Sequence, residues 1–467
     1  MPAGEGPAAV RMGGRGRLQA GSRNSRWMGG ILIVVLPLRD GIPNVYARVD
    51  ARPAPGSASG SGAGAPRRTP CAGRRRRPQR QEPPISPGTP IDMAYTPFLV
   101  ERWMSAHEQR ARFNLGESGV QPLRLGELLA LAEAAGRTGA RRELDELVLT
   151  YDETPGTLEL RRRVAALYGI EPEEVLITQG AIEANYLLFR ALVEPGDAVV
   201  SMFPAYQQLY SAAAMAGAEV RLWRLRPEDG FVPDLRALER LLDRRVRLIV
   251  INTPHNPTGT VLDEAALRTI LAWAEDIDAL VLCDEAYHGI VHGGGTVPPA
   301  ARTLSPRAVS VSTLSKTMGL AGLRIGWLAA TRPIVERCWG YRDYVTISVS
   351  RLSDALACLA LDLRPQLLER ARAIVARNLA QIEVWMERHA GDFEWVAPRG
   401  GIVCFPRLRR TADSEAFCRG LMEQEGVLLV PGSAFEMPDR VRIGMGEDPG
   451  VVASGLERVS RYLAGKG

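Results

Sequence analysis

Short apolar runs alternate with stretches of helical periodicity from about residue 147 onward. Six runs are rich in Val, Ile and Leu, show no polar alternation and predict β-strands, at residues 175–178, 198–202, 248–252, 279–284, 308–312 and 323–329. Helical patterns separate them, such as the helix expected from Ala181 and the one near Tyr206 to Met215. Strands that are apolar on both faces and separated by helices indicate an α/β fold with a mainly parallel sheet.

The pattern changes after about residue 344. A long helical pattern covers residues 365–389, and short strands are expected at 402–406 and 441–444. We therefore predict a large domain at residues 141–345 and a smaller α+β domain at 346–467, which the N-terminal segment 93–140 joins.

Residues 1–92 form a leader rich in Gly, Pro, Ala, Ser and Arg, a composition that predicts disorder. Its apolar run at residues 31–38 is too short to span a membrane, and no small-residue cleavage site follows it. Interleaved aromatic residues and a helix-turn-helix pattern are also missing, so we expect neither a membrane nor a nucleic-acid partner. Met93 opens the first segment with globular patterning and is an alternative start of the protein.

Charge is unevenly distributed along the chain, and cysteine usage predicts a cytoplasmic protein. The net charge is +5 overall but about −5 for residues 93–467, because the leader holds the basic excess. The six cysteines form no CxxC pair, which is typical of reduced thiols in the cytoplasm. His288 and His292 are four residues apart but have no further ligands nearby in sequence, so no metal site is expected.

Lys316 is the most informative single residue. Lys and Arg together number 58, yet only Lys316 and Lys466 are lysines. Arginine stays protonated, whereas a desolvated lysine can become a neutral amine and form a Schiff base with an aldehyde. We therefore predict that Lys316 is the covalent anchor of pyridoxal 5′-phosphate.

Polar residues at strand ends supply the other groups that this cofactor needs, because ligands of open parallel sheets bind at the C-terminal ends of the strands. Asp284 ends a strand and can pair with the pyridinium nitrogen, which keeps the ring an electron sink. Tyr287 and Asn256 can hydrogen-bond the ring's 3-oxygen. Tyr206, shortly after another strand, can stack on the ring.

A phosphate requires backbone donors at a helix N-terminus, together with hydroxyls and a guanidinium. The residues that meet this requirement are Gly180, Ala181, Ile182, Thr313, Ser315 and Arg324.

The segment from Thr313 to Arg324, taken with Asn256, Asp284 and Tyr287, resembles the class I/II aminotransferases, which are fold type I pyridoxal phosphate enzymes. The resemblance covers about residues 95–465 and implies a mainly parallel sheet of the seven-stranded type beside a smaller α+β domain. It implies that Lys316 is the Schiff-base lysine and proton shuttle.

Two further roles follow from the resemblance alone. Tyr151 is similar to the tyrosine that reaches the phosphate of the neighbouring subunit, which implies a homodimer. Arg442 is similar to the arginine that binds the substrate α-carboxylate; the residue pattern alone favours a surface position.

These residues specify the cofactor but leave the outcome of the reaction open. The resemblance implies transfer of the amino group of an α-amino acid to a 2-oxo acid, which we place first. Residues 97–99 and 112–120 resemble the N-terminal stretch of capreomycidine synthase and related hydroxyarginine cyclases. That similarity implies loss of water and ring closure on an arginine-derived substrate, with Gly116 and Glu117 near the substrate. A cofactor-sensing transcription regulator would need a winged helix before residue 93, which the Gly and Pro content of the leader disfavours.

Overall fold

The computed structural model describes residues 25–28, 31–34 and 96–465. The chain divides into two units, Met1–Pro87 and Gly88–Gly467. In the first unit, two four-residue strands pair in antiparallel register, with Ser25 opposite Val34. The rest of the leader, for which we predict disorder, and the alternative start at Met93 lie outside the described residues.

The helices of the second unit are α1 (Leu99–His107), α2 (Leu125–Ala134), α3 (Ala140–Asp145), α4 (Leu158–Tyr168), α5 (Ala181–Leu192), α6 (Gln208–Met215), α7 (Leu235–Glu239), α8 (Glu264–Asp276), α9 (Ala301–Leu304), α10 (Arg332–Arg342), α11 (Arg351–Asp362), α12 (Arg364–Arg388), α13 (Ser414–Glu425) and α14 (Pro449–Ala464). The strands of both units are β1 (Ser25–Met28), β2 (Ile31–Val34), β3 (Phe113–Asn114), β4 (Val175–Thr178), β5 (Ala198–Phe203), β6 (Glu219–Arg224), β7 (Val246–Asn252), β8 (Leu280–Asp284), β9 (Ala308–Thr313), β10 (Gly326–Ala329), β11 (Phe393–Glu394), β12 (Val403–Cys404), β13 (Arg407–Leu408), β14 (Val427–Leu428), β15 (Val430–Pro431) and β16 (Val441–Gly444).

A seven-stranded sheet in the order β4-β10-β9-β8-β7-β5-β6 forms the centre of the second unit. The neighbouring strands β6, β5, β7, β8 and β9 all run parallel, and β10 is antiparallel to both β9 and β4. The predicted α/β class with a mainly parallel sheet is confirmed. The strand expected at residues 323–329 begins only at Gly326, because residues 321–323 form a 3-10 turn.

The sequence pattern missed strand β6 at the edge of this sheet. Its residues mix polar and apolar types (Glu-Val-Arg-Leu-Trp-Arg), and only Trp223 is buried. Because this edge strand is only partly buried, it lacks the continuous apolar run that identified the other strands of the sheet.

The remaining strands belong to smaller sheets. Strands β12, β16 and β15 form an antiparallel sheet, and β14 pairs in parallel with β3 of the N-terminal segment. Helix α2 of the same segment instead packs through Leu128 and Leu129 in one hydrophobic cluster with α4 and α11. The N-terminal segment thus contacts both parts of the unit, and the domain boundaries at residues 140 and 345 stay predictions.

No helix within the described residues is long and apolar enough to cross a membrane. The five cysteines in this part of the chain are buried free thiols.

Candidate active site

A cavity of about 340 Å³ opens where strands β7, β8 and β9 end and helix α5 begins. All the predicted site residues line it except Gly116 and Tyr151. Residues that the sequence interpretation did not single out also line it, and these include Glu101, Glu108, Ser118, Asn185 and Asn252.

Lys316 follows strand β9, and its amine lies between two groups of the N-terminal segment. The Nζ atom donates to Ser118 Oγ at 3.0 Å and lies 3.5 Å from Glu117 Oε1. Burial has the largest single effect and lowers the pKa of the lysine, but Glu117, Tyr287 and Glu101 together raise the pKa above its usual value, with Glu117 the strongest of the three. The neighbouring groups thus offset the loss of water around the amine and favour its charged form in the chain by itself.

Asp284 is held at the end of β8 by three neighbours. Its Oδ2 accepts from Asn185 Nδ2 at 3.0 Å, and its Oδ1 accepts from the Ala286 backbone N–H at 3.1 Å. The Asn252 amide donates to the Asp284 carbonyl at 2.9 Å. Burial raises the pKa of the carboxyl, while the bond from Asn185 opposes that shift. The carboxylate is thus oriented and desolvated, as a partner for a pyridinium nitrogen must be.

Asn185 was missed because its contact partner lies 99 residues away. Its position four residues after the start of α5 is the only local signal. Asn252, which ends an apolar strand, could have been found by the same strand-end argument that identified Asp284.

The N-terminus of α5 and the loop before β10 form a cradle for an anion. Gly180, which precedes α5, has a φ of 84°, and a Cβ atom there would lie 2.7 Å from Arg324 Nη2. A Cβ on Gly326 would lie 2.5 Å from the Ala181 nitrogen. Because both positions lack side chains, the guanidinium and the helix N–H groups converge on one point.

Hydroxyl groups complete this cradle. Arg324 Nη1 donates to Ser315 Oγ at 3.4 Å, and the Thr313 hydroxyl donates to the same oxygen at 2.9 Å. Two hydroxyls, a guanidinium and uncapped helix N–H groups are the donor set that a phosphate ester requires. The cradle therefore fits the phosphate of pyridoxal phosphate.

Tyr206 lies on the side of the cavity that faces helix α1. Its hydroxyl donates to Glu101 Oε1 at 2.7 Å, and its ring centroid lies 4.8 Å from that of Phe98. Burial and the carboxylate raise the pKa of the tyrosine, so it stays protonated. Helix α1 thus fixes the ring that was predicted to stack on the cofactor.

Arg442, on strand β16, is 2% exposed, so the surface position that its residue pattern favoured is wrong. Its Nη1 donates to Asn256 Oδ1 at 3.2 Å, and its Nη2 donates to the Gly116 carbonyl at 2.8 Å. The Nε atom has no hydrogen-bond partner among the described residues. The guanidinium therefore reaches the cavity as a fixed, desolvated positive charge.

Tyr151 takes no part in this cavity. Its side chain is 81% exposed, and Val148 and Leu149 beside it are also exposed. Any role of Tyr151 at such a site requires a second chain.

A lysine at a strand end, a buried carboxylate that ends the neighbouring strand, an anion cradle at a helix N-terminus and a mainly parallel sheet define a pyridoxal phosphate enzyme of fold type I. The sequence profile of the family Aminotransferase class I and II matches residues 120–459. The chain belongs to this family.

Three known proteins illustrate the similarity. Capreomycidine synthase from Streptomyces vinaceus is 37% identical over 365 residues, which cover 78% of this chain and 93% of that protein. A PLP-dependent aminotransferase from Streptococcus suis is 35% identical, with a TM-score of 0.76 and coverage of 80% of this chain and 98% of that one. The PLP-dependent cyclase OrfR is 30% identical, with a TM-score of 0.73 and coverage of 84% and 99%. These relatives place pyridoxal phosphate as the cofactor of the enzyme.

Proposed function

We propose that the enzyme acts on an α-amino acid whose side chain carries a positive charge. The observation that supports this is the distribution of charge in the cavity. Glu101, Glu108 and Glu117 line it from the N-terminal segment, whereas its guanidinium groups are those of Arg324 and Arg442.

Each cation of the cavity has a separate task in this proposal. Arg324 binds the cofactor phosphate, Lys316 binds the cofactor aldehyde, and Arg442 binds the substrate α-carboxylate. Glu101 and Glu108 then remain to attract a guanidinium or ammonium group on the substrate side chain. A carboxylate side chain at the same position would be repelled.

The other site residues hold the cofactor. Asp284 pairs with the ring nitrogen, Asn256 and Tyr287 hydrogen-bond the 3-oxygen, and Tyr206 stacks on the ring. The backbone of residues 180–182, together with Thr313 and Ser315, binds the phosphate beside Arg324. The bound cofactor supplies an electron sink for the pair of electrons left when a substrate bond to the α-carbon breaks.

Lys316 carries the proton in this scheme. Its Nζ is the base that would accept the substrate α-proton, and Glu117 and Ser118 would stabilise the resulting ammonium. Arg442 fixes the carboxylate, so the α-hydrogen is presented to Nζ in one orientation.

Transfer of the amino group to a 2-oxo acid is the first candidate outcome, supported by the Streptococcus suis relative. The cavity carboxylates disfavour a dicarboxylic acceptor, so we expect a monocarboxylic one such as pyruvate. Loss of water from a hydroxylated arginine with ring closure is the second candidate. It is supported by capreomycidine synthase and OrfR and by the same demand for a cationic side chain.

The deciding experiment incubates the holoenzyme with arginine and hydroxyarginines, with and without pyruvate or 2-oxoglutarate. Loss of water without any oxo acid identifies the cyclase, and a product that forms only with an oxo acid identifies the aminotransferase. Leucine serves as an uncharged comparison. Turnover of leucine equal to that of arginine would contradict the charge proposal, and Glu108→Gln should weaken use of arginine more than use of leucine.

We further infer that the enzyme is a homodimer with shared sites. Val148, Leu149 and Tyr151 lie more than half exposed, as do Tyr344 and Val345. Hydrogen bonds from Arg342 to the Thr154 carbonyl and from Arg351 to Asp152 hold the two segments together. An exposed apolar surface of this kind is typical of a protein interface.

A complementation assay tests the shared site. Tyr151→Ala and Lys316→Ala are each expected to be inactive, but a mixed dimer has one intact site if the tyrosine acts across the interface. Random exchange should then restore up to about a quarter of wild-type activity, since half of the dimers are mixed and each has one working site. No restoration after proven exchange would contradict the arrangement. A cytoplasmic location stays a prediction from cysteine usage.

A further inference from the structure

The loop of residues 116–120 is docked against the lysine segment along its backbone. The Val120 N–H donates to the Lys316 carbonyl at 3.0 Å. A Cβ atom on Gly119 would lie 3.2 Å from the Ser315 carbonyl oxygen, so a larger residue there would push the loop away. The position of this loop relative to Lys316 is therefore set by backbone contacts.

The same loop presents two polar side chains to the lysine amine. Nζ lies 3.0 Å from Ser118 Oγ and 3.5 Å from Glu117 Oε1. The Ser118 backbone N–H donates to the same Glu117 oxygen at 2.9 Å. The backbone N–H therefore holds Oε1 of Glu117 in place, with the carboxylate facing the amine.

Several other charged or titratable groups act on the amine from elements packed around it. Tyr287 and Glu101 favour its charged form, and Arg442 disfavours it. The charge of the lysine also acts to lower the pKa of Asp284, on β8. Of these neighbouring groups, Glu117 has the largest effect on the pKa of the amine. The lysine in turn lowers the pKa of Glu117.

We propose that Glu117 is a positioning residue for Lys316. Its carboxylate holds the amine charged and in place until the cofactor arrives, and it thereby sets the pH range in which the apoprotein captures pyridoxal phosphate. The inference rests on the proposed role of Lys316 as the cofactor anchor. In the capture step the ammonium loses a proton to solvent, the neutral nitrogen attacks the aldehyde carbon, and the aldehyde oxygen leaves as water. Only the neutral amine reacts. A partner that favours the ammonium therefore slows capture at pH values below the pKa of the lysine.

The test measures how fast visible absorbance rises when pyridoxal phosphate is added to apoprotein between pH 6.5 and 9.5. Glu117→Gln keeps the shape of the side chain and removes its charge. At pH 7 we expect this variant to capture cofactor roughly fivefold faster than wild type, the factor for one pair of unit charges about 4 Å apart with water-like screening. The difference should shrink as the pH rises.

Two matched variants sharpen the result. Glu133→Gln removes an exposed carboxylate of helix α2, in the same N-terminal segment but outside the cavity, and its capture rate should stay within about twofold of wild type. Glu117→Asp keeps the charge and should restore most of the wild-type pH dependence. Equal rates for wild type and Glu117→Gln at every pH, or slower capture by this variant at pH 7, would overturn the proposal.

No substrate enters this assay, so its failure leaves the proposed reaction untouched. Absence of any visible band in wild type would instead refute the role of Lys316 itself. Lys316→Ala provides the zero-signal reference.

Discussion

Replacing Arg442 by alanine tests the substrate end of the site most directly. The guanidinium is fixed by Asn256 and by the Gly116 carbonyl, and it is nearly inaccessible to solvent. Arg324 is assigned to the cofactor phosphate, so the substitution removes the remaining guanidinium among the described residues that line the cavity. The variant also frees two polar partners, so a simple loss of activity would not isolate the carboxylate contact.

The size of the effect follows from desolvation. Burial lowers the pKa of the guanidinium, which is the mark of a charge largely removed from water. Truncating one partner of a desolvated, hydrogen-bonded charge pair costs about 2 to 5 kcal/mol. We expect about 3 kcal/mol, or roughly a hundredfold loss of affinity for an α-carboxylate.

The assay compares an amino acid with its own α-amide as ligands of the holoenzyme, with binding followed by the change in visible absorbance. Wild type should prefer the acid by roughly a hundredfold, and Arg442→Ala should bind the two within a few-fold of each other. The comparison cancels the structural cost of the substitution, because that cost affects both ligands.

Arg440 provides the matched control. It lies two residues before Arg442 and is also buried, and its Nη1 donates to the Phe405 carbonyl at 3.0 Å, but it does not line the cavity. Arg440→Ala should lower stability and keep the preference for the acid. An unchanged preference in Arg442→Ala, or no preference in wild type, would place the carboxylate elsewhere.

Two further predictions concern the cofactor end of the site, and a third concerns a buried carboxyl outside the cavity. Lys316→Ala should abolish the visible absorbance of the lysine-bound cofactor, and an unchanged band would contradict the assignment. Asp284→Ala should retain cofactor but lose about 100-fold or more in turnover, because the ring nitrogen loses its charged partner; near-normal turnover would exclude that role. Burial raises the pKa of Glu285 to about 7, so the folded state keeps a proton that the unfolded state releases near pH 4.5, and stability falls as the pH rises from 4.5 to 7. Glu285→Gln should therefore raise the free energy of unfolding at pH 8 by about 3 kcal/mol relative to wild type but not at pH 4, measured by denaturant titration; equal gains at both pH values would disprove the link to ionisation.

The sequence by itself determined the fold class and the chemical centre of this protein. Central parallel strands are buried on both faces, so their apolar runs are visible without any tertiary information. Asp284 was predicted because it ends such a run, and Lys316 was predicted because lysine is rare in this chain and can form a Schiff base. Topology then brings strand ends to one edge of the sheet, which is why these local signals met in one cavity.

Tertiary structure alone decided the contacts that tune the site, since they join residues far apart in the chain. Asn185 meets Asp284 across 99 positions, Tyr206 meets Glu101 across 105, and Lys316 meets Ser118 across 198. No periodicity or strand-end rule relates such pairs. The pKa of Lys316 is the clearest case. Burial by itself favours a neutral amine, and only the folded chain brings Glu117, Tyr287 and Glu101 close enough to raise the pKa together.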